Sequence, residues 1–141
     1  MVNILIENGF LITMSGSGLG IIENGSIAID GNDIIAVGKA HELKDFRNAD
    51  TIINATNKIV MPGLINGHIH APASLWRGVA QDVKDWLIKC ILPLKAQLKP
   101  NDVYFGSSLS ALEALKSGTT CICNTYTHAD QSARAFHDIG I

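Results

Sequence analysis

The stretch Val60-Met61-Pro62-Gly63-Leu64-Ile65-Asn66-Gly67-His68-Ile69-His70 marks the point at which the chain changes from one folding pattern to another. Pro62-Gly63 ends one strand, and the apolar run from Leu64 to Ile69 starts the next. Downstream the order becomes strand, long loop, helix, second strand and second helix, which predicts βα units around a parallel sheet. The first full helix is bracketed by Pro100 at its start, with Asp102 in its first turn, and by Gly118 after Lys116-Ser117 at its end. Phe105, Leu109, Leu112 and Leu115 recur three or four residues apart, so this stripe is expected to lie against the sheet. The second strand is Thr120-Cys121-Ile122-Cys123-Asn124, followed by a helix from about Gln131 to Ile139 that Gly140 caps.

Upstream, from Val2 to about Asn57, short apolar runs alternate with Gly and Asn turns and show no helical period, which predicts an all-β half. Ile4 and Ile6, then Phe10 and Ile12, form two runs separated by the turn signal Glu7-Asn8-Gly9. Ser15 to Gly20 reads as a loop. Ser26 to Ile29 and Ile34 to Gly38 form a hairpin through Asp30-Gly31-Asn32-Asp33, and Thr51-Ile52-Ile53 and Lys58 to Met61 supply further strands. These strands are too few to close a sandwich by themselves. The expected division is a β-rich domain over residues 1–57 and a second domain over 58–141.

The composition narrows the function classes. With 141 residues, 47% hydrophobic and 17% charged, the chain has the material for a packed core, and its net charge of −2 offers no basic stripe for nucleic acid. No apolar stretch approaches the roughly 18 residues of a membrane span, and the N-terminus lacks the basic start of a signal peptide. The expectation is a cytoplasmic protein with neither nucleic acid nor membrane as partner. Cys90, Cys121 and Cys123 are an odd set without a disulfide pattern, and Cys121 and Cys123 read as small residues buried in a strand.

The chemistry lies in His68 and His70. Side chains at i and i+2 of a strand point to one face, so both imidazoles can reach one ion. Neutral imidazole suits zinc, iron, nickel or copper, and a strand end that opens into a long loop holds two such ligands near a substrate. A bare His-x-His pair also occurs at exposed strand ends, and it is the preceding apolar strand, the Pro-Gly break and the following loop that favour a site. Two ligands remain fewer than a catalytic zinc requires.

The segment Val60 to His70 closely resembles the signature of the amidohydrolase superfamily. The resemblance continues through Ala71-Pro72-Ala73-Ser74-Leu75-Trp76-Arg77-Gly78, Asp85-Trp86-Leu87, Leu92-Pro93-Leu94 and Lys116-Ser117-Gly118-Thr119-Thr120, and is greatest to the branch of nucleoside and nucleobase deaminases and triazine chlorohydrolases. It implies an α/β fold: a partial N-terminal β-sandwich followed by the first βα units of a (β/α)8 TIM barrel. It also implies that His68 and His70 bind a divalent metal, zinc or alternatively Fe²⁺, together with later ligands, and that a metal-activated water hydrolyses a C–N or C–Cl bond of a small heterocycle. Trp86 matches the pocket-lining segment in which an aromatic ring stacks on the heterocycle; the alternative is the apolar side of a short helix. No catalytic acid or base is assignable within these residues, and the chain alone is expected to be inactive.

Two departures bear on the substrate. Nucleoside-deaminating members usually carry a glutamate after Leu-Pro-x, where this chain has Lys95, and an ammonium cannot accept hydrogen bonds from ribose hydroxyls. Members of the deaminase type often end strand two with Asp-Met-Tyr, where this chain has Asn124-Thr125-Tyr126. Arg77 is expected to pair with a carboxylate and fix its loop, and His128 to be a polar helix-entry residue. The competing readings are a cyclic amidase of the same superfamily and a non-catalytic binding or assembly fragment. The open sheet edge is a surface that a second copy could cover, which allows a homo-oligomer.

Overall fold

Strand β1 (Ile4–Ile12) is the spine of the N-terminal part of the computed structural model, which describes residues 2–141. It pairs antiparallel with β2 (Ile21–Asp30), and β2 pairs antiparallel with β3 (Asp33–Lys39). The hairpin turns through Gly31, whose φ of +59° is open to glycine at little steric cost. On its other edge β1 pairs in parallel with β4 (Thr51–Asn54) and then with β5 (Ile59–Val60). Glu7-Asn8-Gly9 is therefore a bulge within one strand rather than a turn between two. Asn8 takes a φ of +63°, the register shifts between Ile6 and Leu11, and the irregularity falls where the edge passes from β4 to β5.

The sheet buries one face. Leu5, Ala28, Leu43 and Val2 form its core, with Phe46 and Ala49 packed against them from a one-turn 3₁₀ segment (Lys44–Phe46) and the residues after it. Ile34, Val37, Ile53 and Ile59 stay exposed, so the sheet supplies one layer of a sandwich without its facing layer.

The chain divides into two compact units, Met1–Pro62 and Gly63–Ile141. The division falls after Pro62 rather than after Asn57, because Ile59–Val60 is still hydrogen-bonded to β1.

In the second unit β6 (Leu64–Ile69) lies parallel to β7 (Thr119–Asn124). Between them run a 3₁₀ segment (Ala71–Trp76), a π-turn (Leu87–Ile91), α1 (Leu92–Gln97) and α2 (Pro100–Lys116); α3 (Ala129–Ile139) follows β7. The π-turn sits ahead of Pro93, which has no N–H to return to the preceding turn, and the Leu92 N–H reaches back to the Leu87 carbonyl instead. Asp102 accepts the Lys99 backbone N–H at 2.9 Å at the start of α2.

The stripe expected to bury α2 does not do so. Phe105, Leu109 and Leu112 are 64%, 40% and 48% exposed, while Val103, Gly106, Ser107, Ser110 and Ala111 are buried. The contact face is made of small residues because α2 closes tightly on its neighbours. A Cβ on Gly106 would stand 2.7 Å from the Pro72 carbonyl oxygen. Ser110 donates to the Ala71 carbonyl at 2.8 Å, Ser74 donates to the Gly106 carbonyl at 2.8 Å, and the Ser107 and Ser132 hydroxyls share a buried bond of 2.9 Å. Cys121 and Cys123 are exposed rather than strand-buried, since the face of the two-stranded sheet that they share is left uncovered among the described residues. No helix among the described residues is long and apolar enough to cross a membrane.

Candidate metal site and its pocket

His68 and His70 stand at the C-terminal end of β6 and just beyond it, with ring centroids 4.9 Å apart and planes at 75°. Two features brace this end. The Ala71 N–H donates to Asn124 Oδ1 at 2.9 Å, and the Thr125 N–H donates to the Ile69 carbonyl at 3.1 Å, which ties the end of β6 to the end of β7. Asn124 thus has a structural role that needs only an acceptor oxygen. His70 Nδ1 lies 2.7 Å from the Thr125 carbonyl oxygen. A carbonyl only accepts, so Nδ1 of the neutral ring carries the hydrogen and Nε2 keeps its lone pair free for a ligand bond.

The donor set fits part of a metal site. Two imidazoles on one strand, one with its tautomer already set, suit zinc or a similar divalent ion. Among the described residues no group of three His, Cys, Asp or Glu side chains comes together that could complete such a site.

Beside His70 is a concavity of about 220 Å³, walled by Trp86, Leu87, Ile91 and Leu92, with Lys95 and Tyr126 also in its lining. Trp86 is 52% exposed and presents its ring at the start of the π-turn. The Tyr126 ring centroid is 5.5 Å from that of His70 and 6.4 Å from that of Trp76. Its hydroxyl is buried without a hydrogen-bond partner among the described residues, and burial pushes its pKa above the ordinary tyrosine value, so it is neutral there. Lys95 Nζ lies 4.7 Å from the centroid of the same ring. In the sequence Tyr126 stands out only as the last residue of Asn124-Thr125-Tyr126; in the structure its mark is its position two residues past the end of a strand parallel to β6.

Arg77 pairs with a carboxylate as expected. Its Nη1 and Nη2 donate to Glu113 at 3.0 and 2.7 Å, clamping the loop after the 3₁₀ segment to α2. This bond holds the Glu113 carboxyl below the usual value and the Arg77 guanidinium above its own. His128 is the residue before α3, with a φ of +52°, and both it and His137 are exposed.

The model of the amidohydrolase family matches residues 59–141. The chain belongs to the amidohydrolase family. This amidohydrolase chain is 41% identical to the 5′-deoxyadenosine deaminase of Methanosarcina acetivorans, over all of its own length and 32% of the relative's. It is 41% identical to the 5-methylthioadenosine/S-adenosylhomocysteine deaminase of Thermoanaerobacter pseudethanolicus, over 99% of this chain and 32% of that one. Among solved structures, an adenosine deaminase from Xanthomonas campestris with bound zinc matches with a TM-score of 0.87 at 30% identity, covering 97% of this chain and 32% of that one. An atrazine chlorohydrolase from Arthrobacter aurescens with zinc and atraton matches at 0.81 and 26%, covering 98% and 34%. The amidohydrolase chain therefore spans about a third of the length of these relatives. The α/β order, a β-sheet unit followed by parallel strands with helices between them, is that of the corresponding third of these proteins.

Proposed function

We propose that this chain carries the opening part of the catalytic site of a divalent-metal-dependent hydrolase that removes an exocyclic amine from a heterocyclic ring. The observation that carries the reading is the strand end itself: His68 and His70 share it, and the Thr125 carbonyl leaves His70 Nε2 as a ready donor next to an aromatic concavity. When bound, zinc supplies Lewis acidity and acidifies a coordinated water. The chain's own residues do the rest of what can be assigned. His68 and His70 hold the ion, Thr125 orients His70, and Leu87, Ile91 and Leu92 exclude water. Trp86 offers a flat apolar face against which a heterocycle can stack. None of the residues lining the concavity is a carboxylate, so no proton-transfer role is assigned to any of them.

Deamination is favoured over C–Cl hydrolysis because, of the two solved structures, the adenosine deaminase stands at 30% identity and a TM-score of 0.87 and the chlorohydrolase at 26% and 0.81. In the same reading the β-rich unit that ends at Pro62 is accessory, and the catalytic part begins with the strand that carries His68. The test is zinc binding by equilibrium dialysis at excess free zinc, where a weak two-histidine site still fills, comparing the protein with its His68→Ala/His70→Ala double variant. The protein should retain zinc that the variant does not, while their far-ultraviolet spectra coincide. Equal uptake by both would remove the basis of the reading.

A further inference from the structure

Among the described residues that line the concavity beside His70, Lys95 is the one lysine or arginine. It is half-buried, and no carboxylate among the described residues lies within ion-pair distance of it, whereas Lys89 of the preceding turn is paired with Asp85 at 3.3 Å. Its Nζ is held 4.7 Å from the Tyr126 ring centroid, and that centroid is 5.5 Å from the His70 ring. Laid end to end, these two distances bound the separation of the ammonium from the His70 ring, so a ligand with a single ring system and a short substituent spans both.

The aromatic face compensates the ammonium only partly for lost hydration, and an ammonium has three donors and no acceptor. It therefore rewards a group that accepts hydrogen bonds and carries negative charge, and it gives a hydroxyl-bearing group much less. Trp86, Leu87 and Ile91 meanwhile provide the apolar surface for the ring.

We propose that Lys95 is a specificity residue that makes this concavity select a heterocycle bearing an anionic substituent, a carboxylate or phosphate, over neutral ligands of the same ring. The inference rests on the reading of the concavity as the seat of the heterocycle, and it goes beyond that reading by naming the charge of the substrate class.

The experiment follows quenching of tryptophan fluorescence in the zinc-loaded protein with three probes of one ring: 9-carboxymethyladenine, 9-(phosphonomethyl)adenine and neutral 9-ethyladenine. Each anion should bind about tenfold tighter than the neutral probe, the scale of a hydrogen bond to a charged group. Whichever anion shows the larger ratio identifies the carboxylate or phosphate class. Lys95→Met should bring both ratios close to one, and a far-ultraviolet spectrum that coincides with the parent's shows that the variant is folded. Lys95→Glu should invert the preference, and added salt should shrink it in the unmodified protein. An anion preference that survives in Lys95→Met, or its absence from the unmodified protein, overturns the inference while neutral-probe binding keeps the heterocycle reading alive. Failure of all three probes to quench overturns it as well, and zinc uptake by His68 and His70 then judges the hydrolase reading separately.

Discussion

The two sides of the second unit contrast sharply in how their polar groups are treated. Where α2 meets the 3₁₀ segment and α3, buried side chains are small, and the hydroxyls of Ser107, Ser110 and Ser132 all have partners. At the ends of β6 and β7 the side chains are large, half-exposed and incompletely partnered: Trp86 is open, the Tyr126 hydroxyl is unsatisfied and Lys95 has no counter-ion among the described residues. Packing and hydrogen bonding are spent on holding the scaffold, and the unsatisfied groups collect where a ligand would complete them.

That contrast can be broken from either side. The largest effect is expected at the open side, where the His68→Ala/His70→Ala protein should lose essentially all zinc uptake yet unfold in denaturant at nearly the same midpoint, because both rings are exposed. On the packed side, Gly106→Ala should cost about 1–3 kcal/mol in a denaturant titration. At an open helical position the same change would gain about 1 kcal/mol, so a stabilised variant would show that α2 does not approach Pro72 closely.

A somewhat smaller loss, about 1–2 kcal/mol, is expected for Ser132→Ala, which leaves the buried Ser107 hydroxyl alone. Adding Ser107→Ala should then cost less than it does by itself, and strict additivity in this double-mutant cycle would argue that the hydroxyls are independent.

The smallest effect concerns the Arg77–Glu113 clamp, which is exposed to solvent. Glu113 is held below its usual value of 4.5, so the folded state binds its proton less readily than the unfolded chain does. The stabilisation is present above that pH and disappears as pH falls through the lower folded value. Arg77→Ala should accordingly be slightly less stable than the parent near neutrality, with the two curves converging in acid; a gap that persists there would point to packing of the arginine stem.

Much of the fold is legible in local signals. Pro100 and Gly118 bracket α2 because one supplies a preset φ without a needed N–H and the other accepts a φ of +85°. The pairing of His68 and His70 follows from the two-residue period of a strand. What could not be read depends on partners distant in sequence. Glu7-Asn8-Gly9 has the composition of a turn, and only the edge shared by β4 and β5 makes it a bulge. The Phe105, Leu109 and Leu112 period shows which side of α2 is apolar, but the depth of the Gly106 contact decides which side is buried. At the site, the Thr125 carbonyl and the Lys95–Tyr126 stack join elements far apart along the chain, so the motifs that contain Lys95 and Tyr126 do not show that the two touch.

The shared edge of β1 has a bearing on how the N-terminal unit assembles during synthesis. Its hairpin partners β2 and β3 are made early, but the parallel partners arrive only with Thr51–Asn54 and Ile59–Val60. Until Val60 has emerged from the ribosome, the nascent chain carries a central strand that is bare along one side, an edge open to pairing with other chains.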